Sequence, residues 1–333
     1  MKNFVMLSLL APLFLASCAG EQGNSSNNHQ AKTAEEKIYS PEIPRFNEDS
    51  AWFFVEKQVS FGPRVPNTEA HRICGDWLEE TMGRFADTVY TQNTRVRAYD
   101  GTVLSIRNII GSFQPERTNR VLLCGHWDSR PWADHDPDPA NHFKPVPGAN
   151  DGASSIGVLM EIARQLKEAS PRVGIDIIFF DAEDYGNHRT SNQQSSESWA
   201  LGSQFWANSP HRPDYNARFG ILLDMVGAPN AMFKKEGYSM MFAPHIVRKV
   251  WGIAQSLGHG QFFINRQGGH ITDDHYFINQ IRGIPTINII DLRDDTPHGF
   301  FHQWHTIDDT MDHIDPFTLK VVGETVLNVI FRE

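Results

Sequence analysis

Four short apolar runs, each closed by turn or acidic residues, constrain this chain more than any other feature. They are Val121-Leu122-Leu123-Cys124, Ile175-Asp176-Ile177-Ile178-Phe179-Phe180, Gly220-Ile221-Leu222-Leu223 and Thr286-Ile287-Asn288-Ile289-Ile290. A strand with one face in water alternates apolar with polar residues, so a nearly unbroken apolar run predicts a strand covered on both faces. Between the runs, Ile156, Leu159, Met160 and Ala163 recur at the three-four spacing of one buried helix face. Ile73 and Trp77 suggest an earlier helix, and the segment from Thr318 to Ile330 a closing one. Strands alternating with helices imply an α/β three-layer sandwich, its central sheet mixed but mostly parallel. With 333 residues, 40% of them hydrophobic, the chain can bury such a core. No linker interrupts the pattern from about residue 41, which predicts one domain over 41–333.

The first forty residues read differently. Lys2 precedes an apolar stretch, Phe4 to Leu15, that is too short to span a bilayer as a helix. It ends in Leu15-Ala16-Ser17-Cys18, which resembles the bacterial lipobox. In lipoproteins with that motif the signal is cut before the cysteine, which is then acylated. Residues 1–17 are therefore expected to be a lipoprotein signal peptide, and the alternative is an ordinary secretory signal with a chance cysteine. Residues from Ala19 to about Glu36 are Ser, Asn, Gln and Lys with almost nothing apolar, so 18–40 is expected to be a flexible tether. The expected location is the bacterial cell envelope, anchored to a membrane through lipidated Cys18 on the periplasmic side. The net charge of -10, without a basic stripe, argues against a nucleic-acid partner. Cys74 and Cys124 either pair in an oxidising compartment or stay as buried thiols.

In sheets of this kind ligands bind at the carboxyl ends of the strands, and the polar residues gather there. The first run leads into Gly125-His126-Trp127-Asp128-Ser129, the second into Asp181-Ala182-Glu183-Asp184, the third into Asp224-Met225-Val226-Gly227. The last leads towards the loop holding Trp304-His305. Adjacent carboxylates after a buried strand repel each other and resist desolvation, and a nearby cation resolves both costs. The plainer account of Glu183-Asp184 is a helix N-terminus, where the macrodipole favours acids. Asp151, in Gly148-Ala149-Asn150-Asp151-Gly152-Ala153-Ser154, is likewise either a helix N-cap or a ligand in a segment of small residues. His305 is either a packed surface histidine or an imidazole ligand.

Taken together and in order, these segments resemble zinc aminopeptidases with a phosphorylase/hydrolase-like sheet. Within that superfamily the chain is most similar to glutaminyl cyclases (glutaminyl-peptide cyclotransferases). The likeness is carried by Leu223-Asp224-Met225-Val226-Gly227-Ala228-Pro229-Asn230, by Asp273-Asp274-His275-Tyr276-Phe277 and by Trp304 beside His305. It runs from about Trp52 to the C-terminus, nearly all of the 41–333 catalytic domain. The resemblance implies that Asp151, Asp184 and His305 bind one zinc ion (Zn2+) per chain, leaving an open position for substrate. It implies that Glu183 shuttles the proton and that Asp273 lies in the pocket, hydrogen-bonded to Asp224. Trp304, Phe300 and Ile271 match pocket-lining positions, and Trp199 is a further candidate. The implied substrates are peptides or proteins with N-terminal Gln, converted to pyroglutamate with release of ammonia. Two departures stand out. Animal cyclases carry Glu-Glu where this chain has Glu183-Asp184, and the polar stretch from Gly186 to Ser198 is unlike theirs.

Two other readings compete. In an aminopeptidase, His126 and Asp224 would hold a second zinc with Asp151 bridging, and both residues are present. A non-catalytic binding lipoprotein would be expected to lack a ligand or base, whereas Asp151, Glu183, Asp184 and His305 all remain. His135, His142 and His270 are expected on loops or the surface, and the acidic stretch Asp134 to Asp138 in a solvated loop.

Overall fold

The computed structural model describes residues 42–192 and 194–333, so the signal segment, Cys18 and the tether lie outside the described residues. Helices α1 (Glu48–Val59) and α2 (Glu69–Gly83) come first, capped by the side chains of Asn47 and Thr68. A hairpin follows, β1 (Thr88–Arg97) and β2 (Val103–Phe113), and then β3 (Arg120–His126), α3 (Ser155–Glu168) and β4 (Gly174–Phe180). Next come α4 (Leu201–Asn208), β5 (Phe219–Asp224), β6 (Phe233–Lys235), α5 (Gly237–Phe242), α6 (Pro244–Ser256) and β7 (Phe263–Gln267). The short α7 (Asp274–Phe277), β8 (Thr286–Ile290) and α8 (Pro316–Phe331) complete the order.

Six strands form the main sheet in the order β1-β2-β4-β3-β5-β8. The pairs β4/β3, β3/β5 and β5/β8 are parallel, and the hairpin joins them antiparallel, which gives the expected mixed, mostly parallel α/β sheet. All four apolar runs are strands, buried along their whole length. The hairpin left no such signal. Its β1 is a polar edge strand, Thr-Val-Tyr-Thr-Gln-Asn-Thr-Arg-Val-Arg, with little apolar surface to bury.

Side-chain alternation splits the core in two. Val121, Leu123, Ile177, Phe179, Ile221 and Ile287 face the larger layer, which includes residues of α1, α3 and α8 such as Val55, Ile156, Leu159 and Val326. Leu122, Cys124, Ile178, Phe180 and Leu222 face the smaller one, with Trp206 of α4 and Tyr215. Ile73 is largely exposed, so α2 is buried through Cys74, Leu78 and Met82 instead. Cys74 and Cys124 are both free and buried on these opposite faces, which closes the pairing question. From β3 the chain moves to β4 on one side and later returns to β5 on the other. Loops therefore part above β3 and β5, and a crevice opens at their carboxyl ends.

Candidate active site

Three segments bring the expected ligands together over that crevice. The first is the turn after β3. Asp151 does not cap α3, which begins only at Ser155: its backbone is non-helical (φ -84°, ψ 100°) and Gly152 follows in the left-handed region (φ 93°). A Cβ at Gly152 would lie 2.6 Å from the Asp128 carbonyl oxygen, so only glycine lets the turn close against β3. The backbone N–H groups of Asn150 and Asp151 donate to the Asp309 carboxylate at 2.8 and 3.0 Å, which fixes the turn. Burial, then the Asp151 charge, push the Asp309 carboxyl up to about 7.

The second segment is the loop after β4. Glu183 and Asp184 lie in bends, well before α4, so neither serves a helix terminus. Their N–H groups donate to the two oxygens of Asp128, at 3.0 and 3.1 Å. Both side chains are buried (8% and 1% exposed), and burial raises both carboxyls, the nearby Asp273 charge adding to the effect at Glu183. The third segment carries His305, 2% exposed, with its Nε2 3.2 Å from Asp184 Oδ1 and 3.5 Å from Asp151 Oδ2. Ligand atoms of Asp151, Asp184 and His305 all lie within 4.8 Å of one another. Asp184 Oδ2 is buried with no hydrogen-bond partner among the described residues. A buried carboxylate with one oxygen beside an imidazole nitrogen and the other orphaned suits a divalent cation, and the donor set of one nitrogen and two carboxylates fits zinc.

A second trio shares Asp151. His126 Nε2 stands 3.1 Å from Asp151 Oδ1 and 3.3 Å from Asp224 Oδ1, and these three residues also have ligand atoms within 4.8 Å. Burial opposes the charge on His126, but Asp128, Asp151 and Asp224 outweigh it and hold the imidazole well above its usual range. Burial and then the Asp273 charge push Asp224 up to about 8. The recorded partners of Asp273 are the Asp274 N–H and the Asn288 amide, at 2.5 and 2.6 Å, while Asp224 pairs with His126. The expected hydrogen bond between Asp273 and Asp224 is not formed among the described residues: each carboxylate is taken up by other partners, and the Asp273 charge acts on Asp224 only by raising its carboxyl.

Asp151, Asp184 and His305 line a cavity of about 240 Å³. Trp304, Phe300, Ile271 and Trp199 all line it, as do Glu183, Asp224 and Asp273. Trp304 stacks on His305 with ring centroids 3.7 Å apart, and Trp199 lies parallel to His305 at 6.1 Å. The backbone is left-handed at Ala182, Met225 and His305 (φ 52°, 51° and 54°), each in or next to the site. Non-glycine residues are held there at a cost of about 1–2 kcal/mol each, as is common at functional sites. A larger cleft of about 560 Å³ lies between α2 and the hairpin, but its Arg72 and Arg107 are already paired with Glu69, Asp76 and Glu79.

Several expectations change. The stretch Asp134 to Asp138 is solvated only at its end: Pro137 and Asp138 are exposed, whereas Asp134 and Asp136 are buried, Asp134 pairing with Arg130 and Asp136 accepting the Ile307 N–H at 3.1 Å. His135, His142 and His270 do lie on loops as expected, His135 half-buried with its ring 4.4 Å from Trp304 and exposed His270 lining the cavity. Asp128, Asp309, Asn288 and Glu236 are the supports that sequence reasoning missed. Glu236 accepts from Ile271 N–H at 2.9 Å and from His275 Nε2 at 2.9 Å, so it ties together both ends of the loop carrying Asp273. Only Asp128 and Asp309 gave a hint, as acids beside candidate ligands.

Comparison with known proteins agrees with this geometry. The model of Peptidase family M28 matches residues 108–330. A probable zinc metalloprotease of Leptosphaeria maculans is 32% identical over 150 residues, covering 40% of this chain and 33% of that protein. The chain therefore spans about a third of the length of the first curated relatives it matches. Solved structures match over nearly their full length. A Bacteroides thetaiotaomicron glutaminyl cyclase bound to N-acetylhistamine is 54% identical, with a TM-score of 0.86 over 87% of this chain and 99% of that one. A Zn-dependent exopeptidase from Parabacteroides distasonis is also 54% identical, with a TM-score of 0.86 over 87% and 100%.

Proposed function

The chain belongs to peptidase family M28, and on that premise we propose that it is a glutaminyl-peptide cyclotransferase holding one zinc ion per chain. The observation that carries this reading is the cavity of about 240 Å³ over Asp151, Asp184 and His305. Its walls, Trp304, Phe300, Ile271 and Trp199, leave room for little more than one residue folded on itself. Its substrates are peptides or proteins that begin with Gln. The 54% identity to a bacterial glutaminyl cyclase supports the same reading.

Cyclisation is intramolecular, so the pocket's first task is to hold the Gln side chain folded back, with its α-amine against the γ-amide carbon. Trp304 and Phe300, 4.7 Å apart, pack against the methylenes and exclude water. Asp151, Asp184 and His305 would hold the zinc ion, which when bound would supply Lewis acidity to the substrate's amide. As the new C–N bond forms, Glu183 takes a proton from the α-nitrogen. It returns that proton to the amide nitrogen as the old C–N bond breaks, and ammonia leaves. Burial, with the Asp273 charge, raises the Glu183 carboxyl, and a carboxyl of raised proton affinity is better suited both to take up and to return a proton. Asp273, fixed by Asn288, orients the amine or the departing nitrogen.

A two-zinc aminopeptidase is the second reading, and the His126–Asp151–Asp224 trio is the observation that favours it. A Gln-initiated dipeptide separates the two. Ammonia and a cyclised product, with one zinc per chain by elemental analysis, support the cyclase. Free amino acids with two tightly held zinc ions overturn it. We also infer that Cys18 is lipidated and anchors the enzyme in the bacterial cell envelope, on the periplasmic side. Cys18→Ala then moves the protein from the membrane pellet to the soluble fraction, and an unchanged pellet refutes the anchor.

A further inference from the structure

Arg130 is 1% exposed and lies behind the metal-site residues. Its Nε and Nη2 donate to the two oxygens of Asp134, at 2.8 and 2.7 Å, the two-pronged match of a guanidinium to a carboxylate. Its Nη1 turns the other way. It donates to the Asp184 carbonyl oxygen at 3.0 Å and stands 3.4 Å from that residue's carboxylate. Asp134 is fully buried, and its Oδ1 lies 3.5 Å from His305 Nδ1. One buried ion pair therefore touches two of the three candidate ligands: Asp134 faces His305 at Nδ1, the nitrogen away from the shared centre, and Arg130 holds Asp184 by its carbonyl and stands near its Oδ1.

Removing two charges from water is costly, and well-packed apolar residues often serve stability equally well. The contacts of this pair point to a second role. An aspartate carboxylate is one methylene shorter than a glutamate's, so the reach of Asp184 depends on where its backbone sits. That backbone is held at both ends, its N–H by Asp128 at 3.1 Å and its carbonyl by Arg130. His305 has its own difficulty. It occupies a left-handed backbone conformation, and its Nε2 faces Asp151 and Asp184. To offer a lone pair there, the ring must carry its proton on Nδ1, and the charge facing that nitrogen is the Asp134 carboxylate at 3.5 Å, an electrostatic contact longer than a formed hydrogen bond.

We propose that the Arg130–Asp134 pair is a positioning device for the metal site: Asp134 selects the tautomer of His305, and Arg130 sets the reach of the short Asp184. The inference rests on the metal-binding part of the proposed function and is indifferent to which peptide is turned over. Three variants of the full chain test it: Asp134→Asn, Arg130→Lys, and the double variant Arg130→Met with Asp134→Leu. Zinc affinity is read by competition with a chromophoric chelator, alongside the melting midpoint of the chelated protein. Each variant is expected to bind zinc about 10–100-fold more weakly, and turnover of a Gln-initiated dipeptide should recover as zinc is raised. A pair that only supports the fold would lower the midpoint and leave zinc affinity unchanged. If the single variants fail to fold, the double variant carries the test, because it removes both members of the Arg130–Asp134 ion pair together. Wild-type zinc affinity in any folded variant overturns the proposal. Weakened zinc binding in an enzyme that releases amino acids would instead sink the cyclase reading alone.

Discussion

The two ends of the central sheet carry buried acids in opposite situations. At the amino end of β3, Arg120 donates to both oxygens of Asp176, at 2.5 and 2.8 Å, and to the Ser112 hydroxyl at 2.9 Å. Ser112 in turn donates to Asp176 at 2.7 Å. The acid has its own cation and its own donors. At the carboxyl end, Asp151, Glu183, Asp184, Asp224 and Asp273 crowd together, and their cationic neighbours include the imidazoles of His126, His275 and His305 and the Arg130 guanidinium. Asp184 retains a buried oxygen with no donor among the described residues. The contrast teaches that burial alone does not mark a functional carboxylate. What marks it is the shortage of neutralising partners, because an uncompensated buried charge is too costly to keep unless something binds there.

The largest expected effect comes from emptying the acidic end of its cation. His305→Ala, or dialysis against a chelator, should bring ammonia release down to background, while the Arg120 end keeps the fold, as read by circular dichroism. Activity surviving with no zinc detectable would erase the contrast. Next, Glu183→Gln should cost about 10²–10⁴ in turnover, the usual contribution of a general acid–base. Elemental analysis should find zinc retained, since Glu183 is not one of the three ligands. At the other end, Arg120→Met strands a buried carboxylate and should cost about 3–5 kcal/mol of stability in denaturant titrations. The zinc content of the folded fraction should not change. A matching loss of zinc would show that the two ends are not independent.

The smallest effect is a pH slope. Asp309 and Asp224 have folded-state values of about 7 and about 8, well above those of an unfolded aspartate. Between roughly pH 4 and those values the native state keeps protons that the unfolded chain has released, so stability falls as pH rises. His126 and His305, also raised, act in the same direction as pH passes through their folded values. Glu236, lowered to about 2, has the opposite sign, but its contribution changes only in more acidic solution. The chelated protein should therefore melt at a lower temperature at pH 8 than at pH 5. Saturating zinc, which binds the deprotonated ligands, should flatten that slope or reverse it. A chelated protein that is equally stable at both values would contradict the burial of these carboxyls.

Much of this arrangement is legible in the residues alone. Continuous apolar runs have one physical solution, a strand covered on both faces, so β3, β4, β5 and β8 follow from composition along the chain. The acids and the histidine after those runs then fall at one end of the sheet, because parallel strands all point the same way. Short-range chemistry decided this much, since hydrophobic periodicity and turn residues act within a few positions of one another. The supports of the site were hidden for the converse reason. Asp309 holds a turn 158 residues away, Glu236 ties down a loop 35 residues on, and Asp134 in a Pro-rich acidic stretch resembles solvated chain. Whether an acid is buried or wet, and which cation answers it, depends on neighbours that only folding brings within hydrogen-bonding distance. That is why Asp176, inside the apolar run of β4, and Asp184, just beyond its end, became respectively a finished ion pair and a candidate metal ligand.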